Sequence, residues 1–111
     1  MKPIKLSLTK MHINSLAYTF RFFHQLPENN RTVRCLQSIL IEVKVKIEKK
    51  EVVLRNETNL FNKDKRHTIS LKYYEADCLE KFLLIAETYP LSTYDRNVVL
   101  MLKNKLNQQL A

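Results

Sequence analysis

The sequence predicts a small, mainly helical α+β domain built from two strand-helix-helix repeats that form a four-helix, pseudo-twofold domain with a minor two-stranded ribbon. Three observations favour this class. Two short alternating segments, 3–9 and 67–72, each stand directly before an amphipathic helical segment. A proline ends each of these helical segments, at Pro27 and Pro90, and a second helical segment follows it. A length of 111 residues suits one domain spanning the whole chain.

The two units align without a gap at an offset of 63 residues. Identical residues meet at five positions, where Lys2, Ser7, Leu8, Leu16 and Pro27 align with Lys65, Ser70, Leu71, Leu79 and Pro90. Apolar positions also stay on one helical face in both units. We interpret this register as an internal duplication, with repeats at about 3–56 and 66–111 and a loop at about 57–66. The alternative is two amphipathic hairpins that merely share helical periodicity.

The first unit begins with a strand in which Ile4, Leu6 and Leu8 alternate with polar residues, as expected when one face is buried. Thr9 can cap the following helix, because its hydroxyl can accept a hydrogen bond from an amide of the first turn. That helix is expected to extend to about His24. Its predicted core stripe has spacings of three and four residues and comprises Ile13, Leu16, Phe20 and Phe23.

Residues 39–48 fit two patterns. Ile41, Val43, Val45 and Ile47 alternate with charged residues, which is typical of a strand. A helical stripe also passes through this segment and continues beyond it, comprising Val33, Leu36, Leu40, Val43, Ile47 and Leu54. We predict a helix from about residue 31 to residue 56, because the stripe outlasts the alternation and the second unit is helical at the matching positions.

The second unit repeats the order of the first. Its strand leads into a helix from about Tyr73 to Thr88, where Glu75 occupies the carboxylate position of a capping box and Lys72 the cap. Ser92 and Asp95 form a capping pair for the last helix. The predicted inward positions of these two helices are Ala76, Leu79, Leu83 and Ala86, and then Val99, Leu102, Leu106 and Leu110.

Each strand alone would leave backbone groups unpaired, so we expect the two strands to pair with each other above the helices. This order of elements resembles, at the level of pattern, the ribbon-helix-helix family of DNA-binding proteins, here as two units in tandem. The resemblance implies an antiparallel ribbon that enters the major groove. It assigns base or backbone contacts on the ribbon to Lys5, Ser7, Thr9, Thr68, Ser70 and Lys72. It also implies phosphate contacts at the second-helix N-termini, at Asn29, Asn30, Arg31, Ser92 and Thr93.

The positive charge is concentrated in the first half of the chain. Residues 1–41 hold six basic residues and one acidic residue, whereas residues 67–111 hold five of each, within a net charge of +8. This asymmetry indicates a polyanionic or acidic partner, with Lys5, Lys10, Arg31 and Arg34 as the candidate contacts. The alternative is a solvated surface that keeps the protein soluble.

The second helix of the first unit carries a further apolar stripe. With successive residues about 100° apart, Ile41, Val45 and Val52 fall opposite the core stripe. Asn104 and Gln108 align with Ile41 and Val45, so the repeated fold does not require apolar residues there. We predict that the three residues form a homodimer interface. The alternative is that the C-terminal part or the 57–66 loop covers them.

Composition argues against several other functions. The chain has no glycine, which the phosphate-binding loops of nucleotide enzymes require. Cys35 and Cys78 lie beside core stripes and are expected to be reduced, buried thiols. The three histidines lack the spacing of a zinc site. We therefore expect no catalytic residue, no cofactor and no metal.

The leading hypothesis is a small non-enzymatic binding module for protein interaction or self-assembly, and DNA binding by the basic N-terminal half is the alternative. The sequence contains no apolar run long enough to span a bilayer and no signal-peptide pattern. We therefore expect a cytoplasmic protein without a membrane partner.

Overall fold

The computed structural model describes residues 3–25, 31–55 and 66–111. It confirms a mainly helical domain with a small two-stranded antiparallel sheet. The elements along the chain are β1 (Ile4–Thr9), α1 (Lys10–Thr19), a 3₁₀ segment (Phe20–Gln25), α2 (Arg31–Arg55), β2 (Arg66–Leu71), α3 (Tyr73–Ala86) and α4 (Thr93–Leu110).

The two strands form an antiparallel ribbon with Leu6 facing Ile69 at its centre. On the lower face, the apolar residues of β1 and the residues His67, Ile69 and Leu71 of β2 are buried. The alternating polar residues face solvent. Because side chains alternate between the faces of a strand, one register places every apolar position of both strands over the helices.

Helix α1 begins at a reciprocal capping box. The amide of His12 donates to Thr9 Oγ1, and the amide of Thr9 donates to His12 Nδ1, both at 3.3 Å. The α-helical hydrogen bonding ends at Thr19, earlier than the sequence predicts, and tightens into the 3₁₀ segment. There Phe20 stacks on Phe82, with ring centroids 4.8 Å apart, so the change of helix type accompanies aromatic packing in the core.

Residues 39–48 are helical, which resolves the two patterns in favour of the helix. The α2 residues Leu40, Val43 and Leu54 are fully buried, and Ile47 is almost so. Most of the predicted stripe residues of the other helices are buried as well; the side chain of Phe23 lies outside the described part. Burial on one face outweighs the β-branched alternation, because a helix can bury this whole stripe and a strand cannot.

Side chains of two helices reach the backbone of the ribbon. Lys46 Nζ of α2 lies 3.5 Å from the carbonyl oxygen of Ser70 on β2. Lys105 Nζ and Gln109 Nε2 of α4 lie 3.5 and 3.1 Å from the carbonyl oxygens of Ser7 and Lys5 on β1. Side chains of α2 and α4 thus satisfy backbone groups that an exposed sheet edge leaves unpaired. Among the described helices, none has the length and apolar character needed to cross a membrane.

Candidate interaction surfaces

The outer side of the ribbon brings together six residues that the sequence assigns to nucleic-acid contacts. We call this surface the ribbon face; it comprises Lys5, Ser7, Thr9, Arg66, Thr68, Ser70 and Lys72. All are exposed except Thr9, which is half-buried. Neither described strand contains an acidic residue. The ribbon face is therefore a continuous strip of cations and hydroxyl groups.

Arg66 is the member of the ribbon face that sequence reasoning missed, because it was assigned to the loop. It is the first residue of β2 and faces Thr9 across the ribbon. Its Nη1 donates to the carbonyl oxygen of Ser7 at 3.0 Å. The alternation of β2 already contained the signal, since Arg66 has the same parity as the exposed residues Thr68 and Ser70.

A concentration of positive charge lies at the end of the ribbon where Arg66 stands. The pKa of His12 is lowered, first by burial and then by the nearby charges of Lys105 and Arg66. Neutral His12 keeps Nδ1 as an acceptor for the amide of Thr9, so the lowered pKa preserves the capping box of α1. These three side chains come from three separate elements, and local sequence patterns could not place them together.

Arg31 and Arg34 do not join the ribbon face. Both are exposed in the first turn of α2, whereas α2 reaches the ribbon at Lys46, fifteen residues after Arg31. At 1.5 Å per residue, Arg31 lies roughly 22 Å from that contact along the helix axis. Lys10, in contrast, is exposed at the start of α1, directly after the ribbon.

The other predicted phosphate contacts at second-helix N-termini are also separate from the ribbon. Ser92 Oγ accepts a hydrogen bond from the amide of Asp95 at 3.1 Å and so caps α4, as predicted. Thr93 is exposed beside it. The side chains of α4 that hydrogen-bond to the ribbon, Lys105 and Gln109, lie near its other end. Asn29 and Asn30 lie outside the described residues.

The second candidate surface is the α2 stripe, which comprises Ile41, Val45 and Val52. Their exposed fractions are 53%, 41% and 50%, although each is a large apolar side chain on a helix whose opposite face is buried. The C-terminal helix α4 contacts β1 through Gln109, and the stripe remains exposed. Residues 56–65 of the connecting loop, the other predicted cover, lie outside the described part.

The cysteines differ from each other. Cys78 is buried, and burial raises the pKa of its thiol, which makes it a weak nucleophile. Cys35 is exposed, so the prediction that it is buried is wrong. Cys35 directly precedes Leu36, and successive residues of a helix are about 100° apart, so its side chain points away from the core stripe.

Two of the acidic residues of α3, Glu75 and Asp77, have structural partners. Glu75 is buried and accepts hydrogen bonds at 2.8 Å from the amide of Lys72 and from Lys46 Nζ. Burial raises the pKa of Glu75, but the hydrogen bonds from Lys46 and Lys72 outweigh it, and the pKa is lowered. Asp77 pairs with Lys81 at 3.0 Å on the surface. Within the part of the chain that the structure describes, no three His, Cys, Asp or Glu residues are grouped to hold a metal ion.

Comparison of the chain with protein-family models, curated proteins and solved structures finds no match. The ribbon face and the α2 stripe are therefore the features from which a function can be inferred.

Proposed function

We propose that this protein is a non-enzymatic binding module that self-associates as a homodimer through the α2 stripe. The observation that supports this proposal is the exposure of Ile41, Val45 and Val52 on one line of a helix whose other face is fully packed. An isolated exposed valine needs no explanation, but an aligned set is a feature of interaction surfaces. β-Branched residues also lower helix propensity, so the fold alone gives no reason for them.

The size of the stripe predicts a weak dimer. Covering the exposed half of each of these side chains contributes roughly 1 kcal/mol, which is about 6 kcal/mol for the two copies. Association costs at least about 4 kcal/mol in lost translational and rotational freedom. The stripe alone therefore gives a marginal dimer, and polar contacts beside it must contribute to a stable one.

The proposal requires the stripe and the polar contacts beside it together to give a dissociation constant below about 1 mM, and sedimentation equilibrium of the wild-type protein from about 1 µM to about 1 mM tests this range. A mass that rises with concentration from 13.2 kDa towards twice that value is expected for a dimer. A protein that stays at the monomer mass throughout this range would overturn the proposal.

A second candidate function is nucleic-acid binding by the ribbon face. Its support is the combination of Lys5, Arg66 and Lys72 with exposed hydroxyl groups, on strands without a carboxylate. A two-stranded ribbon fits the width of a major groove, and its polar side chains can reach base edges and phosphates. The positive charge beside His12 favours the same polyanionic ligand.

The internal duplication belongs with this second candidate, since a tandem ribbon-helix-helix arrangement needs it. The 63-residue offset relates Leu6 to Ile69, and these two residues face each other in the ribbon. The same offset takes Lys5 to Thr68 and Ser7 to Ser70. The facing pair Lys5 and Ser70 therefore corresponds to the facing pair Thr68 and Ser7. A twofold axis through the central pair would exchange the two strands, which supports a pseudo-twofold domain. An experimental structure in which 6–47 and 69–110 do not superpose would overturn it.

Titration of a random-sequence DNA duplex at several salt concentrations tests the second candidate. Affinity is expected to fall with salt, and replacing two phosphate-contacting cations should flatten the log-log slope by about two. The Arg31→Gln/Arg34→Gln variant tests whether the phosphate path extends to the start of α2. Absence of salt-dependent binding at micromolar protein would remove nucleic acid as a function.

A further inference from the structure

We infer that two α2 helices pack antiparallel in the homodimer, so that Ile41 of one copy lies against Val52 of the partner subunit. This inference rests on the proposed homodimer and adds the orientation and register of its interface. It follows from the spacing of residues along α2 and from the charges that flank them. The occupant of the α2 stripe is accordingly a second copy of this chain.

Spacing defines a two-helix seam. Ile41, Val45, Glu48 and Val52 follow one another at intervals of four, three and four residues, which is the a and d pattern of a heptad. We call these four residues the α2 seam. Glu48 is exposed in the single chain, with 52% of its side chain accessible, and stands between the two valines. A packed seam must therefore place this carboxylate without a like charge opposite it.

A parallel dimer fails that requirement. Equal positions face each other in a parallel pair, so Glu48 would lie against Glu48 of the partner subunit across the seam. The flanking positions g and e would also bring Lys44 towards Lys49 of the partner subunit. Both contacts join like charges, which disfavours the parallel arrangement.

The antiparallel dimer pairs opposite charges instead. With Ile41 against Val52 of the partner subunit, Val45 lies against Glu48 of the partner subunit, and no layer contains two carboxylates. The e positions then place Glu42 beside Lys49 of the partner subunit. The g positions place Lys44 beside Glu51 of the partner subunit. By twofold symmetry each contact occurs twice, which gives four charge-complementary contacts around the seam.

The single chain leaves room for these contacts. Glu42 and Lys49 are exposed, and Lys44 and Glu51 are half-buried with interactions inside their own chain. One of these is the pair of Lys44 with Glu48, at 3.6 Å. That pair already neutralises part of the charge of Glu48, so the partner's charges extend an existing network rather than replacing it.

The native Cys35 provides a direct test of orientation, because it is exposed on α2 and Cys78 is buried. A spin label on Cys35 in a Cys78→Ala background reports the distance between the two copies of this position. The antiparallel register separates them by roughly 35 Å along the axis, whereas a parallel pair brings them to roughly 10 Å. A short distance in a confirmed dimer would overturn the antiparallel inference and leave the dimer intact.

Charge reversal tests the register independently. Glu42→Lys and Lys49→Glu are each expected to weaken the dimer about tenfold, and the double variant is expected to restore it, because the exchanged charges meet again. A parallel pair does not bring these two positions together and predicts no restoration. Failure of the double variant to recover would contradict the proposed register. A wild-type protein that remains a monomer would overturn the homodimer and this inference together.

Discussion

Replacing Val45 with glutamate is the most decisive perturbation of the α2 stripe. Val45 is 41% exposed in the single chain and lies at the middle of the predicted interface. Full burial of a valine contributes about 1.5–2 kcal/mol, so covering its exposed part contributes roughly 0.7 kcal/mol per copy. A glutamate at this position loses this burial free energy in both copies, and it also introduces a carboxylate next to Glu48.

The added carboxylate dominates the expected effect. An incompletely compensated charge at an interface costs roughly 1–2 kcal/mol for each copy. The total for a twofold dimer is about 4 kcal/mol, which raises the dissociation constant about a thousandfold. In the single chain the substitution is expected to change the free energy of unfolding by no more than about 0.5 kcal/mol, because the site is exposed and glutamate favours helix.

Sedimentation equilibrium measures the dissociation, and chemical denaturation of the dilute protein measures the fold. The expected result is a folded monomer. Leu100→Glu is a matched control, since Leu100 is 37% exposed on α4, and it is expected to leave the dimer unchanged. If Val45→Glu unfolds the protein, then Val45 belongs to a covered core, and the reasoning from its exposure is refuted.

Four further predictions follow from the same surfaces and from the caps of α1 and α3. Glu48→Leu completes the apolar seam and is expected to tighten the dimer at least tenfold in sedimentation; unchanged affinity would place Glu48 outside the interface. The pKa of His12 is lowered from 6.5 in the folded protein, so His12 contributes stability that is present above pH 6.5 and lost as pH falls through its folded pKa. Denaturation midpoints should therefore decrease on acidification, and they should decrease less in the His12→Gln variant. Equal decreases in both proteins would argue against this role. Glu75→Ala removes two buried hydrogen bonds and is expected to reduce the free energy of unfolding by roughly 2–3 kcal/mol, whereas a loss below about 0.5 kcal/mol would mean that Lys46 is not held by it. For DNA binding, Lys5→Gln/Arg66→Gln is expected to reduce the slope of log affinity against log salt by about two, and an unchanged slope would exclude the ribbon face as the contact surface.

Local patterns predicted the strands and α-helices well, because the buried face of each element follows from the spacing of its own apolar residues. The helix of residues 39–48 followed from a stripe that only a helix can bury on one side, and the cap at Thr9 followed from a hydroxyl placed before a helical segment. The exposure of Ile41 and Val45 also agrees with their angular position opposite that stripe. These inferences involve residues within a few turns of one another.

The contents of the ribbon face were predicted in part for the same reason. Strand alternation was enough to place Ser7 and Ser70 on the outer side. It did not identify Arg66, whose assignment depended on where the preceding loop ends. Cys35 was misplaced because lying beside a core stripe in sequence is not the same as lying on it in a helix.

The sequence by itself determined the type of each strand and α-helix, its buried side and the absence of glycine loops, because these depend on residue chemistry and short-range periodicity; it did not show the 3₁₀ segment at Phe20–Gln25. Only the tertiary structure decided which charges share a site. Lys105 Nζ donates a hydrogen bond to the carbonyl oxygen of Ser7, which is 98 residues away in the sequence. Lys46 Nζ donates one to the carboxylate of Glu75, which is 29 residues away. Such contacts depend on how α2 and α4 lie along the ribbon, and helix packing is decided by the fit of the whole core rather than by any local pattern.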